Sequence, residues 1–357
     1  MTIEERKDNH LDICLNEDVG SRKVTTLLED VFLIHQALPE LDLDKVELAT
    51  TFLGHKLNAP LLIDSMTGGT KAAADVNRDL AVVAEEFGLG IGVGSQRAGL
   101  MNPQVVETYS TVRKHAPNAF IYGNLGGAQL VKGLTIDDAR KAVEMIQADA
   151  LAIHLNPLQE AVQVGGEASY WGVLEKIEGL TRRLGVPVII KEVGAGISRE
   201  AAAKLAMAGA SAINVAGVGG TSWAGVESVR AKRMGEEATA NLGETFWDWG
   251  LPTAAAILEV RPRVTLPLIA SGGLRTGVDA AKAIALGADL VAVARPFLQA
   301  ALKGGTKAAG KFASEFIAQL RLAMFLTGSP DVAAMKRARY ILTGKLLDWK
   351  FNLGDVI

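Results

Sequence analysis

The feature that most constrains this chain is a rhythm that begins at Pro60 and repeats eight times. An apolar run ends in a polar or glycine-rich turn, and a helical segment follows. The runs cover residues 61–64, 89–93, 120–124, 150–155, 188–191, 212–215, 268–270 and 290–294. Alanine-rich helical stretches lie between them, at 72–87, 136–148, 199–208, 253–260 and 278–286. Short continuous apolar runs suit parallel strands covered on both faces. Strands alternating with helices imply right-handed βαβ units. Eight even units that close on themselves make a (β/α)8 TIM barrel. An open doubly wound sheet is the alternative, and the evenness of the rhythm favours closure. No sequence repeat accompanies the structural one.

The rhythm also sets the boundaries. Residues 1–59 lack it and read as an N-terminal extension that contributes substrate-binding residues. Within it, 43–57 read as short strands or loops leading to the barrel. Residues 60–357 read as the barrel with C-terminal helices. Residues 218–249 form a long insertion after the sixth strand, and structureless loops of that length are uncommon unless functional or disordered. Residues 300–345 read as two or three helices, broken at Gly304-Gly305 and at Thr327-Gly328-Ser329-Pro330. They would cover the barrel or make an oligomer contact.

Composition removes several classes. A hydrophobic content of 49% places the chain among globular proteins. A net charge of −3 argues against nucleic acid as a partner. The one cysteine, Cys14, cannot form an intrachain disulfide and suits a reducing compartment, the cytoplasm. It reads as a small packing residue rather than a nucleophile. No apolar run approaches the roughly 20 residues of a membrane span, and the first ten residues are too polar for a signal peptide. The expectation is a soluble cytoplasmic protein.

In a (β/α)8 barrel, catalytic groups come from the loops after the carboxyl ends of the strands. Here nearly every such end is polar or glycine-rich. The densest is 150–167, where His154 and Asn156 share a strand face. Pro157 stops that strand, and Gln159, Glu160 and Gln163 follow at near-helical spacing. Gly272-Gly273 after strand seven and Ala294-Arg295-Pro296 after strand eight each open a helix in this reading. They offer the N–H groups on which barrels commonly hold a phosphate, and Gly220 and Thr221 could add donors. The ligand therefore carries a phosphate, and flavin mononucleotide (FMN) fits. Lys191 would reach the ring's electron-rich edge. It could instead be a Schiff-base nucleophile or pair with Glu192, although adjacent strand residues face opposite ways. Ser95, Arg97, Arg6, Lys7 and His10 imply a second anion site. Arg6 and His10 can share a helix face, although a solvated terminal helix would look the same from charge alone. Beside that site Glu160 is a single carboxylate. It fits a magnesium ion completed by substrate phosphates, and equally a helix N-terminal acid.

Together, Arg6-Lys7-x-x-His10, Ser65-Met66-Thr67-Gly68-Gly69, Gly94-Ser95-Gln96-Arg97, His154-x-Asn156-x-x-Gln159-Glu160-x-x-Gln163, Lys191-Glu192-Val193-Gly194 and Ser271-Gly272-Gly273-Leu274-Arg275 resemble the type 2, flavin-dependent isopentenyl-diphosphate isomerases. The resemblance runs from Arg6 to about Arg295. The glycine turns are shared with other FMN barrels, whereas Arg-Lys-His and His-Asn-Gln-Glu are more specific. Glu167 departs mildly, since that family often has Asp there.

The resemblance implies that Met66, Thr67, Gly68, Ser95, Asn124, Lys191, Thr221, Gly272, Gly273, Leu274, Arg275, Ala294 and Arg295 hold FMN. It implies that Arg6, Lys7, His10, Ser95, Gln96, Arg97, Asn156 and Gln159 bind the substrate. His154 and Gln159 become the catalytic candidates, and Glu160 the magnesium ligand. The implied reaction interconverts isopentenyl and dimethylallyl diphosphate, with reduced FMN as the acid/base group, NADPH as its reductant and a homotetramer or homooctamer as the assembly. An alkene is a very weak base, and the rim offers few ordinary acids, so the flavin N5 is the expected proton donor. The alternative is an FMN-dependent oxidoreductase of the 2-hydroxy-acid oxidase type. That reading leaves Arg6, Lys7 and Glu160 without a task. A phosphate-ligand sensor on a retired barrel is the third reading, and the intact polar rim argues against it.

Overall fold

The computed structural model describes residues 3–352. Eight parallel strands close a barrel in chain order: β1 (Leu61–Ile63), β2 (Gly90–Gly92), β3 (Ile121–Gly126), β4 (Ala150–Leu155), β5 (Val188–Glu192), β6 (Ala212–Asn214), β7 (Leu268–Ala270) and β8 (Leu290–Val293). Closure runs through the pairs Val291 with Leu61 and Val293 with Ile63. Almost every strand residue is buried, because helices cover the outside and side chains fill the inside. The interior layer includes Leu62, Tyr122, Ala152, Ile189, Ile269 and Leu290.

Seven helices matter for the site: α1 (Ile3–Asn16), α2 (Lys71–Phe87), α3 (Pro157–Val162), α4 (Trp223–Arg233), α5 (Glu237–Thr245), α6 (Gly277–Ala285) and α7 (Arg295–Leu326). Their limits follow from local chemistry. Thr70 caps α2 by accepting from the Ala73 N–H, and Gly88 ends it in the left-handed region at φ 62°. Between the caps, Val76, Leu80, Val83 and Ala84 share the buried face. Thr276 and Asp279 form a reciprocal capping box at the start of α6.

The extension serves both ends of the barrel. A hairpin of Thr50–Phe52 and His55–Leu57 plugs the amino-terminal end. There Phe52 meets Phe120 edge to face, with ring centroids 5.2 Å apart. Helix α1 lies across the opposite end.

The structure differs from the sequence reading in three places. Residues 218–249 are not a structureless loop: α4 and α5 pack so closely that a Cβ at Gly243 would come 2.7 Å from the Ala224 carbonyl oxygen. Gly272-Gly273 does not open a helix; α6 begins at Gly277. After α7, whose expected break sits at Gly304 and Gly305, Tyr340–Leu342 forms a strand paired antiparallel with Val31–Leu33. No helix among the described residues is long and apolar enough to cross a membrane.

Candidate active site

The carboxyl ends of the strands open into one cavity. Helix α1 forms one wall. Lys7 extends its ammonium into the loops after β1 and β2. It donates to the carbonyls of Gly68 and Ser95, both at 2.7 Å, and to the Tyr109 hydroxyl. Arg295 holds the other end of α1, donating to the carbonyls of Cys14 and Glu17. Those carbonyls close a helix and have few intrahelical donors. Next to Lys7, the Arg6 guanidinium lines the cavity. Burial pulls its pKa down, while Glu227 and Glu160 push it up. His10 stands edge to face with Trp223, centroids 5.2 Å apart, and bonds Glu227 Oε1 at 2.9 Å.

The run after β4 forms a neighbouring wall, since its Gln159 and His10 of α1 share Glu227 Oε1. His154 Nδ1 lies 2.7 Å from Asn124 Oδ1. An amide oxygen only accepts, so Nδ1 carries the proton and Nε2 is an acceptor. Burial, with Lys191 and Lys7 nearby, brings the His154 pKa down to about 3. The imidazole is therefore neutral at neutral pH. Asn156 takes the Tyr170 hydroxyl on its oxygen and gives its amide to Gln159 Oε1 and Glu160 Oε1. Glu160 Oε2 accepts from Gln163 at 3.2 Å and from the Glu167 N–H at 2.7 Å. Two amides and a backbone N–H orient this buried carboxylate, and among the described residues no cation hydrogen-bonds to it. Gln159 gives its amide to Glu227 Oε1 at 3.1 Å. Burial pushes the Glu227 pKa up, but His10 and Arg230 prevail and bring it to about 2.

The strand-seven end is built from backbone. Gly272 and Gly273 have φ of 97° and 82°, where glycine carries no steric cost. Added Cβ atoms would come 2.0 Å from the Gly217 oxygen and 2.4 Å from the Gly219 oxygen. No side chain fits, so backbone and the exposed Arg275 line the cavity there. Below, Lys191 pairs with Asp64 at 3.1 Å rather than with Glu192. Glu192 turns away to accept the N–H groups of Val193, Gly194 and Ala195. Ser65 Oγ is buried with no hydrogen-bond partner among the described residues. A glycine turn with an adjacent cation, a floor lysine and an unsatisfied hydroxyl form a donor set that suits FMN.

The cavity gathers most of the expected site residues, including Met66, Thr67, Ser95, Arg97, Thr221, Leu274 and Ala294. Two stay outside it. Gln96 is fully buried, giving its amide to Ala142 O at 2.7 Å and taking the Asn124 N–H on its oxygen; its side chain braces β3 instead of meeting a ligand. Gly68 does not line the cavity; the Tyr109 ring lies 2.0 Å from where its Cβ would be, and its carbonyl holds Lys7. The side chains of Lys7 and Arg295 line the cavity but are committed to α1. Arg97 grips Glu167 bidentately at 2.9 and 3.0 Å.

Sequence reasoning missed Glu227, Asp64 and Tyr109. Glu227 had a signal, since Glu227 and Arg230 stand at i, i+3 among small apolar residues. Asp64 ends an apolar run, which also could have marked it. Nothing local marked Tyr109. Among the described residues no cluster of three or more His, Cys, Asp or Glu is placed to hold a metal. Any ion here relies on one carboxylate and on its ligand.

Known proteins match this arrangement at two levels. The family of FMN-dependent dehydrogenases matches residues 158–342. An isopentenyl-diphosphate delta-isomerase of Methanosarcina barkeri is 51% identical over 99% of this chain and 97% of its own. One from Stutzerimonas stutzeri is 50% identical over 94% and 96%. Among solved structures, a lactate oxidase of Pediococcus acidilactici aligns with a TM-score of 0.67 at 18% identity over 96% of each chain. A mandelate oxidase variant aligns with 0.63 at 19%, over 93% of this chain and 95% of its own. At that identity the likeness is one of fold.

Proposed function

The chain belongs to the isopentenyl-diphosphate delta-isomerase family, built on an FMN-dependent barrel, and from that premise we propose how its own residues divide the work. The reaction interconverts isopentenyl and dimethylallyl diphosphate. Reduced FMN, when bound, supplies the acid/base chemistry that moves the proton.

Met66, Thr67, Ser95, Asn124, Lys191, Thr221, the 272–275 turn and Ala294 hold FMN. Arg6, His10, Ser95, Arg97 and Asn156 take the substrate diphosphate. Lys7 acts one step back, fixing α1 so that Arg6 faces the cavity. Glu160 would hold magnesium, which would offset the charge of the substrate diphosphate. Asn156 and Gln163 aim that carboxylate.

Gln159 is held between Asn156 and Glu227, and in this reading it faces the substrate carbons. An amide neither gives nor takes a proton readily at neutral pH, so Gln159 positions rather than titrates. Neutral His154 fixes Asn124. Leu11, Met66 and Trp223 give the cavity an apolar wall that excludes water from the alkene. NADPH reduces the flavin. Residues 1–59 act as an extension of the site. The assembly is a homotetramer or homooctamer, supported by exposed Phe32, Ile341 and Trp249 on the outside.

One observation carries this reading. Helix α1 lays Arg6 and His10 over the same cavity that holds the 272–275 glycine turn, with the Glu160 carboxylate lining it too. That is a place for two phosphate-bearing ligands and one divalent ion. The oxidase alternative has fold-level likeness only. It needs a base near neutrality, and His154 at about 3 is a weak one. Turnover of isopentenyl diphosphate without consumption of an electron acceptor supports the isomerase; acceptor-dependent oxidation of a 2-hydroxy acid contradicts it.

A further inference from the structure

The floor of the cavity holds a buried acid that the reaction outlined above does not use. Asp64 stands at the end of β1, and its side chain is 4% exposed. Its Oδ1 accepts the Ser65 N–H and the Tyr122 hydroxyl, both at 2.8 Å, and pairs with Lys191 Nζ at 3.1 Å. Its Oδ2 accepts from Asn214 at 3.2 Å, and the Asn214 oxygen takes the Ser271 hydroxyl at 2.6 Å. One carboxylate thus ties together β1, β3, β5 and β6, and through Asn214 the end of β7. Lys191 is 6% exposed, and Asp64 is the acid within ion-pair distance of it among the described residues. An ammonium has three donors, and Lys191 also lines the cavity.

We propose that Asp64 is a positioning residue that fixes the Lys191 ammonium on the cavity floor and, by offsetting its charge, sets the electron affinity of the bound flavin. The proposal rests on FMN occupying this cavity. A lone buried cation beside a flavin favours the form with added electrons, whereas a neutralised pair favours it far less. The carboxylate has a second effect. It holds Lys191 in one place, whereas a free lysine has several rotatable bonds. A purely structural staple would hold the barrel end together and leave the oxidised and reduced cofactor equally bound.

The test is the two-electron midpoint potential of the FMN-loaded protein at pH 6.5, together with its affinity for oxidised and reduced FMN. Asp64→Asn keeps the shape and removes the charge. The ratio of reduced to oxidised affinity is expected to rise about tenfold, a shift of about +30 mV for a two-electron couple. Lys191→Met should move it the other way, and the double variant should return close to the wild type. Asp64→Glu, which keeps the charge, should stay near the wild-type potential. An unchanged potential in Asp64→Asn overturns the proposal. So does an equal loss of affinity for both redox forms, or a shift of Asp64→Asn and Lys191→Met in the same direction. Should Asp64→Asn fail to load, Asp64→Ser makes the same prediction, and failure of both neutral variants to load marks a structural staple and overturns it too. A wild-type chain that takes up no FMN overturns the cofactor reading and this proposal together, which separates that failure from the others.

Discussion

Glu160 is a carboxylate held by amides and a backbone N–H, with no cation bonded to it among the described residues. That environment leaves its charge for a ligand, which is why it suits an ion better than a structural ion pair would. Replacing it with glutamine keeps the volume and removes the charge. Glu160→Gln should lose most of its activation by magnesium, with the half-activating concentration rising at least about tenfold, since a carboxylate contact to a hard cation outweighs an amide one. Activity titrated with magnesium checks this, and a wild-type response contradicts the metal assignment. Three further side chains set the acid limit of the fold. His154 and Glu227 are depressed, to about 3 and about 2, and Glu192 is raised by burial, against its backbone donors, to about 7. Between pH 4.5 and 6.5 the unfolded chain gains the His154 proton while the folded chain keeps the Glu192 one, so the two cancel. Below pH 4.5 the unfolded chain protonates both His154 and Glu227 and the folded chain neither. Stability should hold above pH 4.5 and then fall by about 2.7 kcal/mol per pH unit for two protons. Urea midpoints from pH 3 to 7 test it, and His154→Gln should halve the acid slope; a decline that begins at pH 6.5 contradicts it.

Helix α1 is held at its two ends by single cations: Lys7 in the loops after β1 and β2, and Arg295 on the carbonyls of Cys14 and Glu17. Arg6 immediately precedes the first anchor, and His10 lies between the two. Lys7→Met removes three donors and leaves their acceptors partly buried, a loss of several kcal/mol that falls on this helix more than on the barrel. Hydrogen exchange should speed up across residues 3–16 while the barrel strands keep their protection, and KM for the diphosphate should rise because Arg6 loses its placement. Unchanged exchange in α1 contradicts this. The same helix shows what the chain makes legible. The barrel strands could be read because burial on both faces makes them continuously apolar. The Val31–Leu33 and Tyr340–Leu342 pair could not, because three residues carry no period and the partners are some 300 positions apart. The helices at 218–249 were hidden by small and charged residues, whose burial comes from each other. Glu227 was hidden for a related reason: its partners His10 and Gln159 lie 217 and 68 positions away. Gln96 misled because a motif gives identity and spacing, but not whether a side chain points into the cavity or into the strand beside it.

At the scale of the whole molecule, a closed barrel gives a rigid floor and leaves variation to its loops, so one architecture serves oxidation and isomerisation alike. Around its cavity this chain carries α1 from the extension, α4 from the strand-six insertion, and the Glu160 carboxylate. In the proposed function these groups take a diphosphate and a divalent ion, with no net electron transfer. The most direct measurement is proton NMR of isopentenyl diphosphate in deuterium oxide, with catalytic amounts of the reduced, FMN-loaded protein and magnesium. Dimethylallyl diphosphate should appear to equilibrium, deuterium should enter the exchanging positions, and no electron acceptor should be consumed. A substrate spectrum that stays unchanged with the flavin bound and reduced would contradict the account.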